Sequence, residues 1–271
     1  MADEDAAFTL ALQAAKDAGQ VIVDAFHKRD KSIESKSGAT DLVTVYDRQC
    51  EELIVGRIRH AFPAAKIIAE ESHADNGYDL SNDMTWFVDP IDGTNNFIHG
   101  IPWTCVSIGC HVNRKPAFGI VYNPIINELF TARAGQGAFL NGRQIRVSNI
   151  TKLDKAAVIN EFGYGRDPAT IDRMLGCLRK LLTNNVQSVR FFGSAALNMC
   201  SVACGRADVY FEGHTSKIGP KPWDFAAAEV VLTEAGGVIS DQDGGTFDMT
   251  SGRVLCASSK ALLDSIVDIM K

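Results

Sequence analysis

Positive charge is in short supply: 27 lysines and arginines face 33 aspartates and glutamates, a net charge of −6. That balance excludes a general affinity for nucleic acid or for an anionic membrane, both of which need basic surfaces. An anionic ligand therefore has to be met locally, by metal ions or backbone amides. No apolar run approaches the ~20 residues needed to cross a bilayer. The N-terminus, MADEDAAFTL, lacks the basic-then-apolar layout of a signal peptide, which points to a cytoplasmic protein. The seven cysteines (50, 105, 110, 177, 200, 204 and 256) form no C-x-x-C pair, and the six histidines no H-x-x-x-H pair. Zinc is excluded on that spacing, and an odd number of thiols, mostly in apolar runs, reads as reduced core cysteines.

What is present is a globular composition, 46% hydrophobic over 271 residues with 14 Phe against 8 Pro. No repeat, low-complexity run or long linker divides it, so residues 1–271 read as one domain. Phe8, Leu12, Ala15, Gly19, Ile22 and Phe26 step at helical spacing. The segment KSGATDLVT, with Lys36 and Ser37, reads as a polar loop. Thr44 can cap a second helix with Asp47 in its first turn. KIIAEES and WFVDP read as buried strands, and CVSIGCHV, AFGIVYN and ELFTARAGQGAFLNG as an antiparallel meander. Asp167-Pro168 starts a helix whose apolar residues are Ile171, Met174, Leu175, Leu178 and Leu182. QSVRFFG and DVYFEG read as strands, SAALNMCSVACG and PWDFAAAEVVLTEAGG as helices, and VLCASS precedes a last helix. The class is mixed α and β with much antiparallel sheet.

Three apolar runs end in acids: IIAEES with Glu70 and Glu71, WFVDPIDGT with Asp89 and Asp92, and KPWDFAAAEVV with Asp224. A strand ending in a turn accounts for DPIDGT taken alone, since Asp, Pro and Gly are common turn formers. Unpaired buried carboxylates are costly, however, and converging ones repel unless cations lie among them. Oxygen ligands without Cys or His select a hard cation such as Mg²⁺. Gly93 permits a tight turn that leaves the Gly93 and Thr94 amides free to face an anion. The alternate acids of a calcium-binding loop are missing. The D-x-x-D-G-T spacing is also one residue longer than the D-x-D-G-T of phosphatases that use an aspartyl nucleophile.

E-E-S, then W-x-x-D-P-I-D-G-T-x-N-F, then W-D with E-A-G-G downstream resembles the inositol monophosphatase family of magnesium-dependent phosphatases, over nearly the whole chain. The resemblance implies a single catalytic domain folded as a layered α-β-α-β-α sandwich of the sugar phosphatase type, and a homodimer. It implies that Glu70, Asp89 and the Ile91 carbonyl bind a first Mg²⁺, and Asp89, Asp92 and Asp224 a second. Thr94 and Asp47 then orient the attacking water, with Glu70 close to it. The substrate is expected at Glu70, Ile91, Asp92, Gly93, Thr94, Gly193, Ser194, Ala195, Glu212 and Asp224, with Glu212 accepting its hydroxyls. Glu71 reads as a solvated neighbour of Glu70, and His99 as structural or surface.

The implied activity is hydrolysis of a small polyol or sugar phosphate, inositol monophosphate first. L-galactose 1-phosphate, histidinol phosphate and fructose bisphosphate are alternatives, as is a non-catalytic metal- and phosphate-binding protein. The resemblance also suggests lithium sensitivity, since Li⁺ accepts oxygen ligands but brings one positive charge fewer. Two departures stand out: Ala226-Ala227-Ala228, where the family commonly has A-A-G, and a long GHTSKIGPKP stretch beside the presumed hydroxyl pocket.

Overall fold

The structure is a computed structural model that describes residues 2–28, 30–38, 41–73, 77–78, 80, 83–213 and 219–271. It opens with helix α1 (Ala2–Phe26), a ribbon of β1 (Glu34–Gly38) and β2 (Asp41–Val43), and helix α2 (Val45–Ala61). The segment read as a polar loop is thus largely a hairpin, whose strands pair through Glu34↔Val43 and Ser35↔Leu42. Its polar residues conceal the pairing because nothing in them alternates between apolar and polar.

Next come β3 (Lys66–Ala69), β4 (Thr85–Asp92) and the short helix α3 (Thr94–His99). The meander follows as β5 (Cys105–Val112), β6 (Lys115–Asn123), β7 (Glu128–Arg133), β8 (Gly137–Leu140) and β9 (Arg143–Ile145). These strands form a seven-stranded sheet in the order β3-β4-β5-β6-β7-β8-β9. Only the β3–β4 pair is parallel.

The second half contains β10 (Ala157–Asn160), α4 (Pro168–Thr183), β11 (Ser188–Arg190) and α5 (Ala195–Ala203). It continues through β12 (Val209–Glu212), α6 (Pro222–Glu234), β13 (Val238–Ser240), β14 (Val254–Ala257) and α7 (Lys260–Met270). The five strands form a second sheet in the order β11-β10-β12-β14-β13.

Three apolar clusters define the layers. Trp86 and Val88 of β4 pack with α1 and α2 on one face of the larger sheet. Phe87, pointing the other way, joins α5 and α6 between the two sheets. Both faces of β4 are covered, which is why its sequence is continuously apolar instead of alternating. Val158, Val209 and Phe211 meet α4 and α7 beyond the smaller sheet. The result is the expected α-β-α-β-α layering.

Small residues set the spacing. The buried face of α1 is mostly alanine (Ala7, Ala11, Ala14, Ala18 and Ala25). On the other side of the sheet, a Cβ added to Gly109 or Gly119 would lie 2.7 or 2.0 Å from the α6 backbone. This contact also accounts for the short side chains of Ala226 and Ala227. Helix α4 corrects the sequence reading: Leu175 and Leu182 are 55% and 57% exposed, while Met174 and Leu181 turn inward. It is an outer helix that buries only a narrow stripe, which its apolar spacing alone does not locate. All seven cysteines are free thiols, five of them buried.

Candidate active site

The site begins with a fault in a β-ladder. Residues three apart on a regular strand point to opposite faces. Between β4 and β5, however, the register runs Asp89↔Ser107 and then Asp92↔Cys105, so one extra residue bulges from β4. Pro90, which has no N–H to give the ladder, lies inside the bulge. This irregularity brings Asp89 and Asp92 to the same side. Asp224, in the first turn of α6, completes a group in which one carboxylate oxygen from each acid lies within 4.8 Å of the other two.

The remaining partners fix these acids unequally. Asp92 Oδ2 accepts hydrogen bonds from Ser194 Oγ at 2.6 Å and the Ala196 N–H at 2.8 Å. Asp89 Oδ1 accepts the Ile91 N–H at 3.0 Å, and the Asp89 carboxyl shares hydrogen bonds with Glu70 and Asp224. Asp224 Oδ2 accepts the Lys221 N–H at 2.5 Å.

Burial, followed by the charges of Glu70, Asp92 and Asp224, pushes the Asp89 carboxyl well above the usual range. Burial, then Asp92 and Glu70, does the same to Asp224. For Asp92, burial is countered by Ser194 and the Ala196 amide, and its pKa comes to about 6. Crowded acids of this kind are stabilised by a cation among them.

Thr94 stands beside the cluster. Its Oγ1 lies 3.0 Å from Asp47 Oδ1 and 2.9 Å from the Ile91 carbonyl, so its proton serves one or the other. Asp47 in turn accepts from the Thr44 N–H at 2.8 Å, the capping interaction expected from sequence. Burial raises its pKa to about 6, mainly offset by the Thr44 hydroxyl. Gly93 takes φ 84°, and no side chain caps α3 behind it.

Glu212 receives the Tyr210 hydroxyl at 2.6 Å. Burial first, and then Glu161, hold its carboxyl well above the ordinary range, with smaller pushes from Asp224 and Asp92. The structure thus groups Asp89, Asp92 and Asp224, with Glu70 hydrogen-bonded to Asp89 and Glu212 in the same field. The core of the GHTSKIGPKP loop, residues 214–218, lies outside the described residues. The ends of the loop, Gly213 and Gly219, both press on the Gly252 carbonyl, where an added Cβ would sit 2.0 and 1.9 Å away.

Two readings change. Glu71 is not a solvated neighbour: its side chain is 8% exposed and pairs with Lys36 at 2.6 Å. Its N–H is held by Glu51 Oε2 at 2.6 Å. Lys36, read as part of a plain loop, bridges Glu70 at 2.8 Å and Glu71, placing an ammonium beside the acids. That ion pair spans the hairpin and the end of β3, and no local motif signals it. Glu161 was also missed, although AVINEF ends an apolar run in an acid just as the other three segments do. His99 is exposed at the end of α3, as expected.

Residues 3–271 match the model of the inositol monophosphatase family. Inositol monophosphatase 2 of Solanum lycopersicum is 46% identical over 263 residues, which span 96% of each chain. Human inositol monophosphatase 1 is 41% identical over 97% of this chain and 91% of its own. Among solved structures, the extragenic suppressor protein suhB of Bartonella henselae superposes with a TM-score of 0.87 at 32% identity, covering 98% of both chains. An IMPase of Thermotoga maritima gives 0.84 at 31% identity, covering 100% of this chain and 97% of its own.

Proposed function

As the chain belongs to the inositol monophosphatase family of phosphoric monoester hydrolases, we propose that it hydrolyses inositol monophosphate to inositol and phosphate with the help of Mg²⁺. The observation that carries this reading is the Asp89, Asp92 and Asp224 cluster, three acids within 4.8 Å. The donor set fits magnesium: it is all oxygen and crowded, with Asp89 and Asp92 buried and Asp224 half-buried, and it contains no sulfur or imidazole. Glu70, Asp89 and the Ile91 carbonyl would hold one ion, and Asp89, Asp92 and Asp224 a second. When bound, the ions supply Lewis-acid charge to the phosphoryl and leaving oxygens and make a water nucleophilic at neutral pH.

The chain's own residues do the rest. With its proton on Asp47, Thr94 turns an oxygen lone pair toward a water and orients it beside Glu70. Ser194 and the Ala196 amide keep Asp92 in one rotamer. Gly93, Gly193 and Ala195 give the substrate a backbone wall without bulky side chains, and Glu212 accepts its hydroxyls. The family premise extends the proposal to a cytoplasmic homodimer sensitive to lithium. No helix among the described residues is long and apolar enough to cross a membrane.

Phosphate release should be measured across inositol monophosphate, L-galactose 1-phosphate, histidinol phosphate and fructose bisphosphate, with Mg²⁺ and with excess chelator. The expected result is fastest turnover of inositol monophosphate and none in chelator. Full activity in chelator overturns the metal reading; preference for another ester overturns the substrate.

A further inference from the structure

Beside the acids of the cluster lies another buried acid whose charge is met in a different way. Glu161 directly follows β10 and is 8% exposed. Strands β10 and β12 are parallel neighbours with Asn160 opposite Phe211, and the Glu161 N–H donates to the Phe211 carbonyl at 3.3 Å. Ile159 and Tyr210 both face the central core, so Glu161 and Glu212, two residues further along each strand, emerge on that same face.

Three donors converge on one oxygen of the Glu161 carboxylate. Oε1 accepts the Phe192 N–H at 2.6 Å, the Gly193 N–H at 2.9 Å and Asn198 Nδ2 at 2.9 Å. From the other side, Asn96 Nδ2 donates to the Phe192 carbonyl at 2.6 Å and to the Trp103 carbonyl at 2.8 Å. Trp103 Nε1 closes the circuit on Asn198 Oδ1 at 3.4 Å. Phe192 is thereby held at its N–H by one sheet and at its carbonyl by the helix that follows the DPIDGT turn.

Two glycines make the closure tight. Gly193 has φ 82°, and an added Cβ would meet Asn96 Nδ2 at 3.2 Å. A Cβ on Gly93 would meet the Gly193 carbonyl at 3.2 Å. The next residue, Ser194, is the one that grips Asp92.

We propose that Glu161 is a positioning residue that sets recognition of the substrate's hydroxyls, by fixing the Phe192–Gly193 turn against the DPIDGT segment. The inference rests on the phosphatase reading of the site. Glu161 acts on the substrate through the turn and the Asn198 side chain that donate to it. It acts by consuming two backbone N–H groups that would otherwise be free to bind an anion, which leaves the phosphate to the acid cluster and the turn to the polyol. Its charge also lies beside Glu212, so the two neighbouring acids divide the work: one is tied to amides, the other is left to meet hydroxyls.

The test compares kcat/KM for inositol monophosphate with that for phenyl phosphate, which has no hydroxyls on its leaving group. In Glu161→Ala the ratio should fall about tenfold or more, because loss of hydroxyl contacts is felt by the hydroxylated ester alone. Glu161→Gln, whose amide oxygen can accept the same N–H groups, should restore the ratio to within about threefold of wild type. Asn198→Ala removes one donor and keeps the test open if Glu161→Ala does not fold; it should shift the ratio the same way by less. Equal losses on both esters, or no loss, in Glu161→Ala and Asn198→Ala overturn the inference alone. Wild-type protein inactive on both esters overturns the phosphatase reading first.

Discussion

Glu161, Asp89 and Asp92 are buried acids at the ends of apolar runs, with Asp224 half-buried beside the last two, yet different partners meet their charge. Burial raises the Glu161 pKa, and the Gly193 and Phe192 amides together with Asn198 oppose that rise. For Asp89 the burden of burial is increased by Glu70, Asp92 and Asp224, and the Ile91 N–H is the one amide on its carboxylate among the described residues. The first environment is met by amides of the chain; the second, on the proposed reading, is met by added cations. Burial by itself does not distinguish Glu161 from Asp89, the acid proposed to bridge two ions, whereas the balance of N–H donors against neighbouring carboxylates does.

The sharpest way to break that comparison is Asp89→Asn. Asp89 alone is proposed to touch both ions, so kcat should fall by about 10³-fold or more, in the range seen when a principal electrostatic group is lost. In chelator the same variant should be more stable than wild type at pH 8, by on the order of 1 kcal/mol, because it removes a repelled buried charge. Near-normal turnover, or a loss of stability in chelator, would contradict the contrast with Glu161. Thr94→Ala should lower kcat by about 10²-fold while magnesium still binds, as expected when a water-orienting group is lost. Unchanged kcat, or lost magnesium binding by calorimetry, assigns Thr94 to the turn instead.

Stability against pH sharpens the comparison further. Asp47 and Asp92 rise from 3.8 to about 6 in the fold. A raised acid contributes stability that is fully present below the unfolded pKa and lost as pH climbs through the folded one. Cation-free protein should therefore lose stability between about pH 4 and pH 6, by up to about 3 kcal/mol per acid. Bound Mg²⁺ should offset that loss, so urea unfolding should show a wider gap between Mg²⁺ and chelator at pH 8 than at pH 5. A gap that narrows with pH refutes the role of the acids. The smallest effect is expected at Glu212: Glu212→Gln should narrow the kcat/KM difference between inositol phosphate and a simple alkyl phosphate by about tenfold or less. An unmoved ratio places Glu212 outside the hydroxyl pocket.

The acids were legible because each follows an apolar run, and the cap formed by Thr44 and Asp47 because it is local in the chain. The bulge that aligns Asp89 with Asp92 shows only as a proline between two acids. Three features stayed out of sight, each for a physical reason. Strand β10 is held by parallel pairing with β11 and β12, partners distant in the chain that its own four residues do not signal. The buried stripe of α4, with Met174 and Leu181 inward and Leu175 and Leu182 outward, depends on what the helix packs against. Lys36 reaches Glu70 across 34 residues of chain, a distance over which no spacing rule operates.

The seat of α6 on Gly109 and Gly119 also governs how this sequence can drift. The atoms a new methyl would strike at these glycines are largely main chain, the Ala227 carbonyl oxygen among them, so no shrinking of a neighbouring side chain makes room. Each glycine is therefore closed to single-step replacement, and helix and sheet are locked in register. A one-residue insertion within α6 would swing the helical positions on either side of it by about 100° relative to each other. Either the alanines would lose the sheet or Asp224 would leave the acid cluster. Insertions and deletions should accordingly be absent from the thirteen residues of α6.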